Sequence, residues 1–249
     1  MYVEINGVTI RSLGDSAIIL QIGNEVNLEN HQKVVNIADL MEAEPFKGFI
    51  EAVPGYNNLT VYYDPVTVIN RYKEQNDKTS FEIVSELMID YVNKTQNSST
   101  TKNRLIEIPV VYGEEFGPDL EFVAKYNDIT PEEVIQFHTE KDYLVYMIGF
   151  APGFPYLASV NKRIATPRKK TPRPKIPAGA VGIAGEQTGM YPLESPGGWQ
   201  IIGQTPIDLF TPESSPPTLL QTGDKVRFIP ISKEEYLLYK EQKNEHKNT

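Results

Sequence analysis

The stretch TPRKKTPRPKIPAGAVGIAGEQTGMYPLESPGGWQIIGQTP, residues 166–206, decides the fold of the second half of the chain. It lies within residues 149–217, which hold 12 of the 19 prolines and 9 of the 17 glycines, so no helix can run through them. Proline removes a backbone donor and glycine weakens helices, whereas short strands joined by tight turns tolerate both. The stretch therefore predicts a small, mainly-β barrel.

Secondary-structure signals on either side of this stretch set the bounds of the barrel domain. The apolar runs Arg104–Val111 and Lys225–Ile229 are typical of strands. Before the stretch, Thr130, a proline and Glu133 form a capping box that starts a short helix. We therefore predict a barrel domain over residues 104–231, followed by a C-terminal helix and polar tail over residues 232–249.

The first part of the chain predicts a second, smaller domain. Apolar spacing indicates strand 15–22, helix 27–41, strands 49–53 and 59–63, and helix 79–92. This β–α–β–β–α order is typical of an α+β sandwich, ferredoxin-like in its arrangement.

A linker is predicted between the two domains. Residues 93–103, NKTQNSSTTKN, contain no apolar side chain, which favours a flexible connection over packed structure. We therefore place a small α/β domain over residues 1–93 and the linker over residues 94–103.

Composition restricts the function. The net charge of −9 argues against general nucleic-acid binding, which needs a basic face. The chain has no cysteine and only three histidines, so we expect neither a disulfide nor a metal site. No secretory leader and no apolar run of about 20 residues are present, so we expect a cytoplasmic protein without a membrane span.

The charges are unevenly distributed. Residues 162–175 carry seven Lys and Arg side chains, and no Asp or Glu lies between Tyr143 and Gly185. Prolines fix the backbone around Arg168, Arg173 and Lys175, and guanidinium groups bind carboxylate or phosphate in a bidentate manner. We call residues 162–175 the basic island. It is either a substrate- or anion-binding site or a solvated surface strand.

The loop GFAPGFPYL, residues 149–157, follows a buried strand and contains two Pro or Gly steps next to aromatic rings. Such a rigid loop at a strand end can present Pro152, Gly153, Phe154 and Tyr156 to a ligand. The alternative is that the aromatic rings pack into the core, which is their more frequent position.

Residues 180–192, AVGIAGEQTGMYP, match neither a Walker loop nor a dinucleotide-binding pattern. Gln187 and Thr188 are candidate hydrogen-bond donors to a ligand, although glycine bulges in a barrel explain the pattern equally well.

Residues 194–206, ESPGGWQIIGQTP, contain the only tryptophan, Trp199. The backbone of Gly197 and Gly198 can donate to an anion, and Trp199 can line the same site. The Gly-x-Ser-x-Gly motif of serine hydrolases is absent. His138 is a candidate acid or base, or a histidine placed at a helix C-terminus by the helix dipole.

The chain resembles the family of 5-oxoprolinase B subunits, which is also the allophanate hydrolase subunit 1 family. The motifs that carry the resemblance are YMIGFAPGFPYL, residues 166–206, FGPDLEFVA, ITPEEVIQFH and RSLGDSAIIL, and together they cover nearly the whole chain. The resemblance implies a cyclophilin-like barrel, C and A subunits as partners, and the ATP-dependent conversion of 5-oxoproline to glutamate, with ATP used by the assembled complex. The alternatives are an inhibitor of a sensor histidine kinase and a component of an allophanate or urea-amidolyase hydrolase. Gln204 stands where the family has an arginine.

Overall fold

The computed structural model describes residues 2–5, 7–25, 27–72, 77–95 and 104–247. The chain divides into two compact units, Met1–Lys102 and Asn103–Thr249. The predicted domain and linker boundaries stay a prediction, because residues 96–103, most of the predicted linker, lie outside the described residues.

The first unit is an antiparallel five-stranded sheet with three helices. Its elements are β1 (Tyr2–Ile5), β2 (Val8–Ser12), β3 (Ala17–Ile22), α1 (Leu28–Ala43), β4 (Phe49–Pro54), β5 (Asn58–Tyr63), α2 (Pro65–Arg71) and α3 (Ser80–Thr95). The strand order is β1-β2-β3-β5-β4. The succession β3-α1-β4-β5-α3 has the β–α–β–β–α order that the sequence predicts.

Local signals explain where these helices begin. The side chain of Asn27, the first residue of the predicted helix 27–41, accepts a hydrogen bond from the backbone of Asn30 and caps α1. Asp64 ends β5 and also caps α2, a helix that the sequence analysis missed, as it missed the β1–β2 hairpin. Helix α3 runs past its predicted end at Val92, so the first residues of the predicted linker are helical.

One face of this sheet forms the core of the first unit. Period-two alternation places the apolar side chains of β2, β3 and β5 on the same face, where helices α1 and α3 cover them. Fully buried members of this core are Ile18, Leu20, Val34, Met41, Leu59, Val61, Val84 and Met88.

The second unit contains the predicted barrel. Its elements are β6 (Leu105–Tyr112), α4 (Leu120–Tyr126), α5 (Pro131–Thr139), β7 (Tyr143–Ile148), β8 (Pro155–Ala158), a 3₁₀ turn (Lys162–Ile164), β9 (Arg173–Ile176), β10 (Ala180–Ala184), β11 (Gln187–Met190), β12 (Ser195–Gly197), β13 (Gln200–Gln204), β14 (Lys225–Pro230) and α6 (Lys233–Lys247). Seven strands close in the order β10-β11-β8-β7-β14-β6-β13, and β9 pairs with β12 outside the barrel. The mainly-β barrel is therefore as the proline- and glycine-rich stretch predicts.

The capping box at Thr130 is present and starts α5. Strand β14 pairs with β6 in parallel, whereas the other barrel neighbours are antiparallel. Within the described residues, no helix is both long and apolar enough to cross a bilayer.

Candidate functional site

A cleft of about 290 Å³ lies beside the barrel where the basic island, the loop before β8 and the turn before β13 meet. Half of its lining residues are aromatic, and Arg168 is its only charged side chain. The lining residues are Phe150, Phe154, Tyr156, Arg168, Pro172, Tyr191, Pro196, Gly197, Gly198 and Trp199. We call this the Arg168 cleft. All four sequence segments singled out above contribute to it directly.

The aromatic wall is packed around Phe154. This ring is 1% exposed and meets Tyr191 and Trp199 edge to face, with ring centroids 5.2 and 5.5 Å away. Tyr156 closes the same cluster, with its ring 6.4 Å from that of Trp199. Edge-to-face contacts of this kind hold ring orientations as well as burying area. Phe154 thus belongs to the core and to the cleft at once.

Phe150 extends this wall toward solvent. It is 66% exposed, and its backbone has a φ of +66°, a left-handed conformation that is rare for a large side chain. The loop is tied across its base, because Phe154 donates a backbone hydrogen bond to Ala151. Gly153 has a φ of +79° and lies against the backbone of Leu209, where a side chain would crowd it. Pro152 sits in this turn without lining the cleft.

Backbone hydrogen bonds place Arg168 beside Trp199. The amide of Lys169 donates to the carbonyl of Gly198 (2.7 Å), and the side chain of Gln200 donates to the carbonyl of Pro167 (2.9 Å). The neighbours of Arg168 are thus bonded to the neighbours of Trp199. The guanidinium carbon of Arg168 consequently lies 5.9 Å from the centre of the indole ring, within cation–π range.

The cleft is electrically positive at neutral pH. Burial raises the pKa of Tyr191 to about 12, although a hydrogen bond from the Trp199 backbone and the charge of Arg168 act in the opposite direction. The phenol therefore stays neutral. Within the described part of the chain, Arg168 has no acidic partner at ion-pair distance. An anion entering the cleft would meet one exposed guanidinium beside a flat aromatic face.

The two glycines form the edge of the cleft nearest β12. A Cβ added to Gly197 would lie 2.3 Å from the hydroxyl oxygen of Tyr191, so only glycine fits there. At Gly198 the nearest atom to such a Cβ is 3.7 Å away, an ordinary van der Waals contact, so a side chain would fit there. Both predicted glycines therefore line the cleft, and position 197 must be glycine because the hydroxyl group of Tyr191 occupies the space of a side chain.

Arg173 and Lys175 do not line the cleft. Arg173 forms a bidentate ion pair with the buried carboxylate of Asp119 (2.6 and 2.8 Å), to which the ammonium of Lys169 also donates (3.0 Å). Lys175 is exposed and pairs with Glu194 (2.9 Å). These three cations of the basic island thus have acidic partners, which come from other segments of the chain.

His138 and Thr188 are also outside the cleft, in the barrel interior. Thr188 donates its hydroxyl proton to the carbonyl of Gly182 (3.0 Å) and accepts a hydrogen bond from Nε2 of His138 (2.8 Å). Nδ1 of the same ring accepts from the hydroxyl of Tyr112 (2.8 Å). Burial lowers the pKa of His138 to about 3, so the ring is neutral and both nitrogens are bonded. The structure therefore makes His138 a core histidine and corrects the acid–base expectation.

The remaining predicted positions lie on barrel strands and turns. Gln187 is half-buried on β11 and pairs in register with Ala158, outside the cleft lining. Gln204 donates to the carbonyl of Ala178 (2.7 Å) and so supports a turn. Sequence reasoning missed Phe150, Tyr191 and Asp119. Phe150 and Tyr191 carried a usable signal, since they lie in residues 149–157 and 180–192, which are singled out above, whereas Asp119 carried none.

The chain is similar to several known proteins. Residues 8–220 match the family model "Carboxyltransferase domain, subdomain C and D". The chain is 50% identical over 235 residues to the 5-oxoprolinase B subunit of Bacillus subtilis, covering 94% of this chain and 98% of that protein.

Two solved structures share the fold. The crystal structure of TTHA0988 matches with a TM-score of 0.73 and 35% identity, covering 87% of this chain and 40% of that one. The chain thus spans less than half of TTHA0988. The Kluyveromyces lactis urea amidolyase matches with a TM-score of 0.72 at 21% identity, covering 93% of this chain and 15% of that enzyme. At such low identity the second match shows the fold alone.

Proposed function

We propose a function from the premise that this chain belongs to the family of carboxyltransferase domains, subdomains C and D: it is the B subunit of an ATP-dependent 5-oxoprolinase. The observation that carries the proposal is the 50% identity to the 5-oxoprolinase B subunit of Bacillus subtilis over almost the full length of both proteins. In this proposal the chain works in the cytoplasm with the A and C subunits and converts 5-oxoproline to glutamate.

The Arg168 cleft supports a specific contribution to that reaction. The substrate, 5-oxoproline, is a small flat lactam ring with one carboxylate. The guanidinium of Arg168 can pair with the carboxylate, and the ring can lie along Phe150 and Trp199. The backbone amide of Gly198, at the edge of the cleft, is a candidate for a further hydrogen bond. We place the cyclic substrate, or its anionic product, in this cleft.

The groups that activate the lactam come from the partner proteins in this proposal. Phosphorylation of the amide oxygen activates the lactam, so that water can add to the ring carbonyl carbon. The C–N bond then breaks with the nitrogen leaving as the protonated amine, and the resulting acyl phosphate is hydrolysed to a carboxylate and phosphate. The lining of the cleft holds one cation and no carboxylate, histidine or amine that could act as a general base. ATP is therefore assigned to the assembled complex, and this chain supplies substrate recognition.

Omission assays test the assignment of the chain to this complex. The complex would be purified with its A and C subunits, and ATP-dependent formation of glutamate would be measured with each component left out in turn. Loss of turnover without this chain is the expected result. An inhibitor of a histidine kinase would instead leave turnover unchanged when omitted, and turnover by this chain alone would contradict the need for partners.

Substitution of Arg168 tests the cleft assignment. Arg168→Ala is expected to raise KM for 5-oxoproline about tenfold or more, since a charge-assisted pair is lost. Arg163→Ala is the matched control, because Arg163 belongs to the same basic island but stacks on Phe137 (4.6 Å) away from the cleft. Equal KM values for both variants and the wild type would refute substrate binding at Arg168.

A further inference from the structure

Asp119 is a buried carboxylate just outside the Arg168 cleft. It is 3% exposed and accepts hydrogen bonds from Arg173, Lys169 and the backbone amide of Ile201 (2.7 Å). Burial on its own raises the pKa of Asp119, but these partners outweigh it and leave the pKa below its ordinary value. The carboxylate is therefore ionised at neutral pH and fully engaged with its partners.

The backbone around Asp119 is fixed as firmly as its side chain. The amide of Asp119 donates to the carbonyl of Ile201 (2.8 Å), so side chain and backbone bind the same residue. The turn before it lies directly on β13, because a Cβ added to Gly117 would be only 2.0 Å from the carbonyl oxygen of Ile202. The position of the carboxylate is therefore set by the barrel.

These contacts connect Asp119 to both sides of the cleft. On one side, Lys169 directly follows Arg168, and Arg173 lies near the end of the same basic island. On the other side, Ile201 lies two residues after Trp199. We propose that Asp119 is a positioning residue for the Arg168 cleft: without touching the ligand, it holds the segment of Arg168 against the strand of Trp199.

The same contacts decide which cation a ligand meets. Asp119 neutralises Arg173 and Lys169, whose side chains are 28% and 29% exposed, and leaves Arg168 as the charge in the cleft. Removing the carboxylate would leave Lys169 and Arg173, both in the segment that carries Arg168, without their acidic partner. The segment would then lose its attachment and its charge balance together.

The test compares Asp119→Asn with Asp224→Asn. Asp224 is an equally buried carboxylate of the same unit, 5% exposed, and pairs with Arg104 and the backbone of Gln221 instead of with the cleft. Loss of a buried ion pair is therefore common to both variants, whereas loss of the contact to the Arg168 segment is specific to one.

Trp199, the only tryptophan, gives a readout that needs no ligand. In the purified full-length chain, Asp119→Asn is expected to shift the emission maximum and to increase quenching by acrylamide, with Asp224→Asn unchanged. In the assembled complex, Asp119→Asn is expected to raise KM for 5-oxoproline about tenfold, with kcat within about twofold, since misplacement of a binding group weakens recognition.

A double-mutant cycle separates positioning from general destabilisation. Arg173→Gln removes one partner of the same contact, so Asp119→Asn combined with Arg173→Gln is expected to raise KM no further than Asp119→Asn alone. If Asp119→Asn does not fold, Arg173→Gln and Lys169→Gln loosen the same contact more mildly and are expected to give the fluorescence shift by themselves.

The KM part of this inference rests on the proposed function, and the fluorescence part does not. Unchanged Trp199 emission and quenching in Asp119→Asn, or in the two milder variants, would overturn the positioning role. Equal effects of Asp119→Asn and Asp224→Asn on both readouts would overturn it too. If Arg168→Ala leaves KM unchanged while the fluorescence shift is present, the assignment of the substrate fails and the positioning role stands.

Discussion

The barrel unit is expected to lose stability between pH 7 and pH 5, because His138 is protonated in the unfolded chain and not in the folded one. The ring is completely buried, stacks on Phe228 with centroids 4.4 Å apart and is bonded at both nitrogens. Burial lowers its pKa from 6.5 to about 3. A proton therefore binds the histidine of the unfolded chain at mildly acidic pH, while the histidine of the folded barrel stays neutral.

The magnitude follows from this difference in pKa. Because the folded-state value lies below the unfolded one, the contribution of His138 is fully retained above pH 6.5 and is lost as the pH falls towards 3. At pH 5, which is 1.5 pH units below 6.5, the loss is about 2 kcal/mol at ~1.36 kcal/mol per unit. Asp119 does not contribute in this window, since its pKa is lowered from 3.8.

The assay is urea unfolding of the full chain at pH 7 and pH 5, followed by the fluorescence of Trp199. This probe lies in the barrel unit, so it reports on the unit that contains His138. His138→Gln keeps a donor and an acceptor in place and does not titrate. The wild type is expected to lose about 2 kcal/mol more than His138→Gln between the two pH values.

Titration of the imidazole by NMR gives an independent check. The resonance of His138, assigned by its absence in His138→Gln, is expected to show no protonation of the folded protein down to pH 5. A midpoint near 6.5, or equal pH dependence of stability in the two proteins, would refute the argument that the buried ring stays neutral.

Two substitutions in the cleft have opposite expected effects on stability. Phe150→Gly removes a strained left-handed backbone and is expected to raise the free energy of unfolding by about 1 kcal/mol, while KM for 5-oxoproline rises with loss of the ring. Phe150→Ala loses the ring and keeps the left-handed backbone strain. A higher free energy of unfolding for Phe150→Ala would therefore contradict relief of strain as the cause. Gly197→Ala forces a methyl group against Tyr191 and is expected to cost about 1–3 kcal/mol in thermal unfolding. Gly198→Ala has room and is expected to cost nothing measurable; equal losses would contradict the steric argument.

The barrel and the helix starts could be predicted because their signals are local. A capping box at Thr130 and a cap at Asn27 depend on residues three positions apart, and both are present. Proline and glycine exclude helices wherever they cluster. The β1–β2 hairpin and α2 were missed, because short elements near turns give little periodic signal.

The partners of buried polar groups could not be predicted, because they are distant in sequence. His138 is 50 residues from Thr188, and Arg173 is 54 residues from Asp119. The basic island contains no Asp or Glu of its own, and Asp119 and Glu194 from other segments balance three of its cations in the folded chain. The closed barrel creates these pairs by bringing strands of distant sequence together.

The sorting of the basic island is set by contacts that the fold creates. The chain bends at residues 170 and 171, so the alternation of an extended strand does not carry through this segment. Arg168 and Pro172 line the cleft, whereas Lys169 and Arg173 reach Asp119 on the other side. Two cations adjacent in sequence thus act in different ways: Lys169 helps to anchor the segment, and the anchored segment presents Arg168. Ligand recognition by Arg168 in the cleft therefore depends on the ion pairs that Lys169 and Arg173 of the same segment form with Asp119.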